Sequence, residues 1–192
     1  MDIRINIKPM GKEIIEYKII SGNEKIVFIK AGAGGNTSGN DNKYVKMANS
    51  LHERLGATVI CASNPNIPHE SVDEEKIRQV VAENNFSEFE LYFVGTSDGA
   101  YQNLSLAKRF VETKKILSIN SSFSTFSRLE ERICALPSVE KIFVLGTDDD
   151  DYDELIAIKN IACDNLKLIE VDGADHRFTG KLDEFIKLVD IL

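Results

Sequence analysis

One recurring pattern constrains this chain more than any other. Short apolar runs at 26–29, 58–61, 91–94, 116–119, 142–145 and 168–171 alternate with segments whose apolar residues repeat at helical spacing. A strand covered on both faces reads as an unbroken apolar run rather than as an alternation. Such strands, each followed by a helix, build a parallel sheet from strand–helix–strand units. The helical faces are Tyr44, Ala48, Leu51 and Leu55; Ala100, Leu104, Ala107 and Val111; Phe126, Leu129, Ile133 and Leu136, ended by Pro137; Leu155, Ile158 and Ala162; and Leu182, Phe185, Ile186 and Val189. A further helix is expected over 71–84, with Ser71 as N-cap and Glu74 completing a capping box.

The N-terminus differs. Ile3, Ile5 and Ile7 alternate with polar residues, the period of a half-buried strand. Turn signals at 8–11 and 21–23 flank a second strand over 14–20, so the two are expected to form an antiparallel edge. No linker, low-complexity tract or internal repeat divides the 192 residues. The expectation is one domain over 1–192: a three-layer α/β/α sandwich around a mostly parallel sheet of about eight strands, with an antiparallel N-terminal edge.

Charge and cysteine usage narrow the function. The net charge of −8 argues against nucleic acid or an anionic membrane surface as partner, because phosphate binding wants a basic face. The cysteines, Cys61, Cys134 and Cys163, are odd in number and form no C-x-x-C, which speaks against a disulfide framework or a zinc site. Cys134 and Cys163 fall on expected helices and read as small buried apolar groups. Cysteines that read as unpaired fit a reducing compartment, and with no apolar N-terminal leader segment and no run long enough to span a bilayer, the expected location is cytoplasmic.

In an open parallel sheet, chemistry gathers at the carboxyl ends of the strands. The loop after the run at 91–94 is Gly95-Thr96-Ser97-Asp98-Gly99, a G-x-S-x-G lying between an expected strand and an expected helix. A turn that sharp needs flanking residues without bulk, and it lifts the serine hydroxyl above the sheet. The N–H groups at the start of the next helix favour a developing oxyanion.

A serine needs a base, and the histidines are His52, His69 and His176. His52 falls mid-helix, where a histidine is ordinarily structural. His69 lies at a strand end in the loop 64–70 and is a pocket candidate. His176 follows the last strand and can reach across the strand ends to Ser97. The acidic run Asp148-Asp149-Asp150-Asp151 ends the strand between them. One of these carboxylates can fix the imidazole tautomer, while the others cap the next helix. The run lacks the glycine and glutamate spacing of a calcium loop.

In these motifs the chain resembles the α/β-hydrolase superfamily, in particular its small, lidless serine hydrolases. The order Ser, Asp, His matches that family, and the resemblance covers nearly the whole chain. It implies the α/β-hydrolase fold and a catalytic triad of Ser97, Asp149 and His176, with Asp148 as second choice for the acid. The family's His-Gly-x-Gly loop corresponds here to Ala31-Gly32-Ala33-Gly34, with alanine at the histidine position. It implies an oxyanion hole from the backbone N–H groups of Ala33 and Asp98, with Gly32 and Gly34 near the pocket.

The glycine loop does not fit nucleotide binding. No Gly-Lys-Ser/Thr follows Gly34, and Gly32-x-Gly34 leads to Thr37 rather than to a third glycine. Few residues separate Asn120 from the helix near Thr125, so no lid domain fits there. An open, shallow site is expected, partly covered by the loop 64–70, with Phe123 as a candidate wall. The reading is a serine esterase or acyl hydrolase acting on a small carboxylic ester or thioester, needing no cofactor and no metal. Its partner is a small-molecule or acyl substrate, with no nucleic acid and no membrane. Acyl transfer on the same triad and a non-catalytic hydrolase-fold binding protein are the alternatives. Nothing in the chain specifies an oligomeric state.

Overall fold

The computed structural model describes residues 3–65 and 69–192. Its sheet has eight strands: β1 (Ile3–Met10), β2 (Glu13–Ile20), β3 (Asn23–Lys30), β4 (Ala57–Ala62), β5 (Glu90–Thr96), β6 (Thr113–Ile119), β7 (Glu140–Gly146) and β8 (Leu166–Val171). Their spatial order is β1-β2-β4-β3-β5-β6-β7-β8. β1 and β2 form an antiparallel hairpin, β2 runs antiparallel to β4, and every other neighbouring pair is parallel. The expected α/β sandwich with its antiparallel N-terminal edge is the observed one.

The apolar runs are buried because both sheet faces are covered. Ile26 and Phe28 of β3 join one core cluster while Val27 and Ile29 join the other, as the two-residue strand period requires. Helices α1 (Lys43–Leu55) and α6 (Leu182–Lys187) cover one face through Tyr44, Met47, Leu51 and Phe185. Helices α2 (Glu70–Glu83), α3 (Asp98–Leu106) and α4 (Phe126–Cys134) cover the other through Ile77, Val80, Leu104, Leu129 and Ile133.

Several local expectations are corrected. Helix α2 begins at Glu70 with His69 at its N-cap position, so Ser71 lies inside the helix and caps nothing. Glu74 instead bonds Arg78 and Arg109, and the two guanidiniums hold its carboxyl below the usual range. Leu55, expected on the buried face of α1, is 36% exposed. The segment around Leu155 and Ile158 is a single short turn, α5 (Tyr152–Leu155), followed by a 3-10 segment, Ile156–Asn160, and Ala162 lies beyond both.

Cys134 and Cys163 are disulfide-bonded, with Cα atoms 5.5 Å apart. They are not buried apolar groups: Cys134 is exposed at the end of α4 and Cys163 is half-buried. The bond ties α4 to the segment entering β8. Disulfides persist in oxidising compartments, so the cytoplasmic expectation loses the support it drew from unpaired cysteines. Cys61 is the free thiol, and burial pushes its pKa up to about 12. No helix among the described residues is long and apolar enough to cross a membrane.

Candidate active site

The loops after β3, β5 and β8 converge at the carboxyl edge of the sheet. There they line a cavity of about 390 Å³, whose walls include Gly32, Ala33, Gly34, Lys43, Ser97, His176 and Arg177. The sequence-predicted serine and histidine therefore line one cavity, although 79 positions apart in the chain.

Ser97 sits between β5 and α3 with φ 52° and ψ −126°. A side-chain-bearing residue pays strain to adopt positive φ, and such residues cluster at functional sites. The glycines beside it are required by close approach. A Cβ at Gly99 would stand 2.2 Å from the Ala31 carbonyl oxygen, and one at Gly95 would stand 2.5 Å from Ala100 Cα. The turn therefore packs its backbone directly against the start of the glycine loop. Ser97 Oγ has no hydrogen-bond partner among the described residues. Apo catalytic contacts commonly tighten only when substrate binds.

His176 Nδ1 lies 2.8 Å from Asp149 Oδ2. A carboxylate only accepts, so Nδ1 carries the proton and Nε2 keeps a free lone pair. The Asp149 carboxylate is buried while the imidazole is 39% exposed. Asp149 Oδ1 accepts the N–H of Asp151 at 3.0 Å. Asp148, the second candidate for the acid, is exposed, and its backbone N–H donates to the Ala174 carbonyl. Asp149, Asp151 and His176 bring ligand atoms within 4.8 Å of one another, a spacing a cation could bridge. Both Asp149 oxygens are already engaged, by the imidazole and by the Asp151 amide.

Ala33 lines the cavity, and among the described residues neither its N–H nor that of Asp98 donates to another backbone carbonyl. With alanine at position 31, the glycine loop is braced by the buried Asn64. Its side chain donates to the Ala31 carbonyl and to Asp98 Oδ2, both at 3.0 Å. Its backbone exchanges hydrogen bonds with Gly34 and Gly35. Asn120, also buried, clips the other two loops together. Its Oδ1 accepts from the Gly146 N–H at 2.8 Å, and its Nδ2 donates to the Asp175 carbonyl at 3.1 Å. Sequence reasoning missed both asparagines, whose only signal is a polar residue one or two positions past an apolar strand.

Two pocket candidates lie elsewhere. His69 does not line the cavity. It is 2% exposed and packs against the buried Lys30 and Asp73. There Lys30 Nζ donates to Asp73 Oδ2 at 2.7 Å, and Tyr17 donates to Asp73 Oδ1 at 2.8 Å. Phe123 is likewise absent from the cavity wall. It packs edge-on to Phe126 at the margin of the core. His52 is structural, its Nδ1 lying 2.9 Å from the Ala57 carbonyl. Of the loop 64–70 expected to cover the site, residues 66–68 lie outside the described residues.

No protein-family model and no curated protein sequence matches the chain. Solved structures do. Est1E from Butyrivibrio proteoclasticus superposes with a TM-score of 0.72 at 14% identity, over 97% of this chain and 96% of that one. An alpha-beta serine hydrolase homologue from Coxiella burnetii gives 0.71 at 17% identity, over 97% and 95%. The fold is that of the α/β hydrolases. The esterase domain of a Rhodothermus marinus protein, with a TM-score of 0.69 and 13% identity over 100% and 96% of the two chains, is similar at the same level. Within the α/β-hydrolase fold, the segment between β6 and α4 spans only residues 120–125, too short for a lid domain.

Proposed function

We propose that this chain is a serine hydrolase that cleaves a small carboxylic ester or thioester through an acyl-enzyme. The observation that carries the reading is the His176–Asp149 pair at 2.8 Å, on the rim of the cavity that Ser97 lines from a strained turn. Ser97 Oγ attacks the carbonyl carbon while His176 Nε2 takes its proton, and Asp149 stabilises the resulting imidazolium. The N–H groups of Ala33 and Asp98 receive the oxyanion, helped by the N-terminus of α3. The tetrahedral species collapses, the leaving alcohol or thiol takes the proton from His176, and Ser97 keeps the acyl group. Water, deprotonated by His176, then attacks that acyl carbon; the acid leaves and Ser97 recovers its proton.

Steady-state and burst kinetics with 4-nitrophenyl acetate test this. The wild-type chain should release nitrophenolate, and Ser97→Ala and His176→Ala should each reduce kcat by on the order of 10⁴ or more. Retention of most turnover in Ser97→Ala would overturn the reading.

A further inference from the structure

The cavity beside Ser97 is polar and cationic, in a chain whose net charge is −8. Its wall carries Lys43 and Arg177, and no Asp or Glu among the described residues lines it. Its apolar contribution is the smaller share: Ala33 and the Tyr44 ring stand among glycines, Asn36, Asn40 and Thr96. A charged group finds polar and cationic partners there that an alkyl chain would not use.

Among the described residues, neither cation has a carboxylate within ion-pair distance. Lys43 is only 7% exposed, yet it forms no ion pair there. Its Nζ donates to the Arg177 carbonyl at 3.0 Å and lies 4.8 Å from the centroid of the Phe185 ring. Burial lowers its pKa to about 8, with Asp175 and Asp41 pulling it back up and Arg177 pushing it down, so the amine is still charged at neutral pH. A cation held this way has its desolvation only partly compensated until an anion arrives. The Arg177 guanidinium makes no hydrogen bond or ion pair among the described residues. Asp175, the nearest competitor in sequence, is occupied with the backbone N–H groups of Arg177 and Thr179 at 2.9 and 2.8 Å.

From the paired cations on the wall of this one cavity, we infer that the acyl substrate carries a carboxylate, which Lys43 and Arg177 bind while the scissile carbonyl faces Ser97. The inference rests on the proposed hydrolase reading and names its substrate class: half-esters or half-thioesters of small dicarboxylic acids. The volume, at the lower end of ligand pockets, suits a short chain. Lys43 also straps the histidine loop to α1 through its bond to the Arg177 carbonyl, so its removal could act on the loop alone. Arg177 offers an independent handle, because its exposed side chain supports nothing else.

Two measurements separate this inference from the catalytic reading. Calorimetry on Ser97→Ala compares monomethyl glutarate with dimethyl glutarate. The monoanion should bind at least tenfold tighter, and Arg177→Gln or Lys43→Met in that background should each remove most of the difference. In the wild type, the kcat/KM ratio of mono-4-nitrophenyl glutarate to 4-nitrophenyl pentanoate should exceed one by a similar factor and fall about tenfold in each variant. Equal affinity for the two glutarates, or a ratio that neither variant moves, would overturn the inference and assign Lys43 to strapping alone. Preferential binding of the monoanion with no ester turnover would leave the anion site standing and overturn the hydrolase reading instead.

Discussion

His176 Nδ1 and Asp149 Oδ2 stand 2.8 Å apart, and Asp149 is the buried member of its acidic run. Its neighbours Asp148 and Asp150 are exposed. Burial makes this carboxylate the one that can fix the imidazole tautomer. Asp149→Asn should lower kcat for an activated ester by on the order of 10⁴ with KM little changed, because the amide can donate to Nδ1 and leave the proton on Nε2, the nitrogen that must accept from the serine. Asp148→Asn should stay within a factor of about two. Equal losses in the two variants would assign the role elsewhere in the run.

Asn120 does not line the cavity, yet it holds the Gly146 N–H and the Asp175 carbonyl, in the loops that carry Asp149 and His176. Asn120→Leu should lower kcat by on the order of tenfold to a hundredfold, with a smaller change in KM. Circular dichroism and denaturant unfolding should still report a folded chain. A loss confined to stability, with kcat of the folded fraction intact, would make Asn120 structural only.

Lys30, the last residue of β3, and Asp73 of α2 form a buried ion pair. Burial pulls the pKa of the Lys30 amine down, and Asp73 pulls it back up. Removing one partner strands the other charge. Asp73→Leu should therefore cost about 3–5 kcal/mol of stability in urea unfolding. The double variant Lys30→Met, Asp73→Leu should recover much of that loss, since paired apolar replacements of buried ion pairs are often near neutral. Additive losses would contradict the pairing.

The cysteines predict a thiol count. Without reductant, Ellman's reagent should find no reactive thiol in the native chain, because Cys61 is buried with its pKa near 12 and the other two are bonded. It should find one thiol after denaturation and three after reduction as well. Reduction opens a link across a sequence separation of 29 and should cost on the order of 3 kcal/mol of stability. Three thiols in the denatured, unreduced chain would refute the disulfide.

Much of this architecture is legible in the chain because burial on both sheet faces writes strands as apolar runs. The G-x-S-x-G motif exposes Gly95 and Gly99, where an added Cβ would meet backbone at 2.5 and 2.2 Å. The choice among the four aspartates is not legible from the run itself, since adjacent identical residues differ only in which one the turn buries. Lys30 sits at a strand end, where a lysine ordinarily reaches solvent, and nothing local signals that Asp73, 43 positions on, meets it inside. The burial of His69 is hidden for the same reason: a loop position says nothing of a side chain that packs against Lys30 and Asp73. The pairing of Cys134 with Cys163 is a tertiary fact, and an odd cysteine count conceals it.

The central claim is that Ser97 is a nucleophile made reactive by His176. A fluorophosphonate probe followed by peptide mass spectrometry tests it most directly. The account predicts one phosphonyl adduct on the peptide containing Ser97, no adduct in Ser97→Ala, and labelling slowed by at least a hundredfold in His176→Ala. An unlabelled wild-type chain that is folded, or an adduct that forms at the same rate without His176, would contradict it.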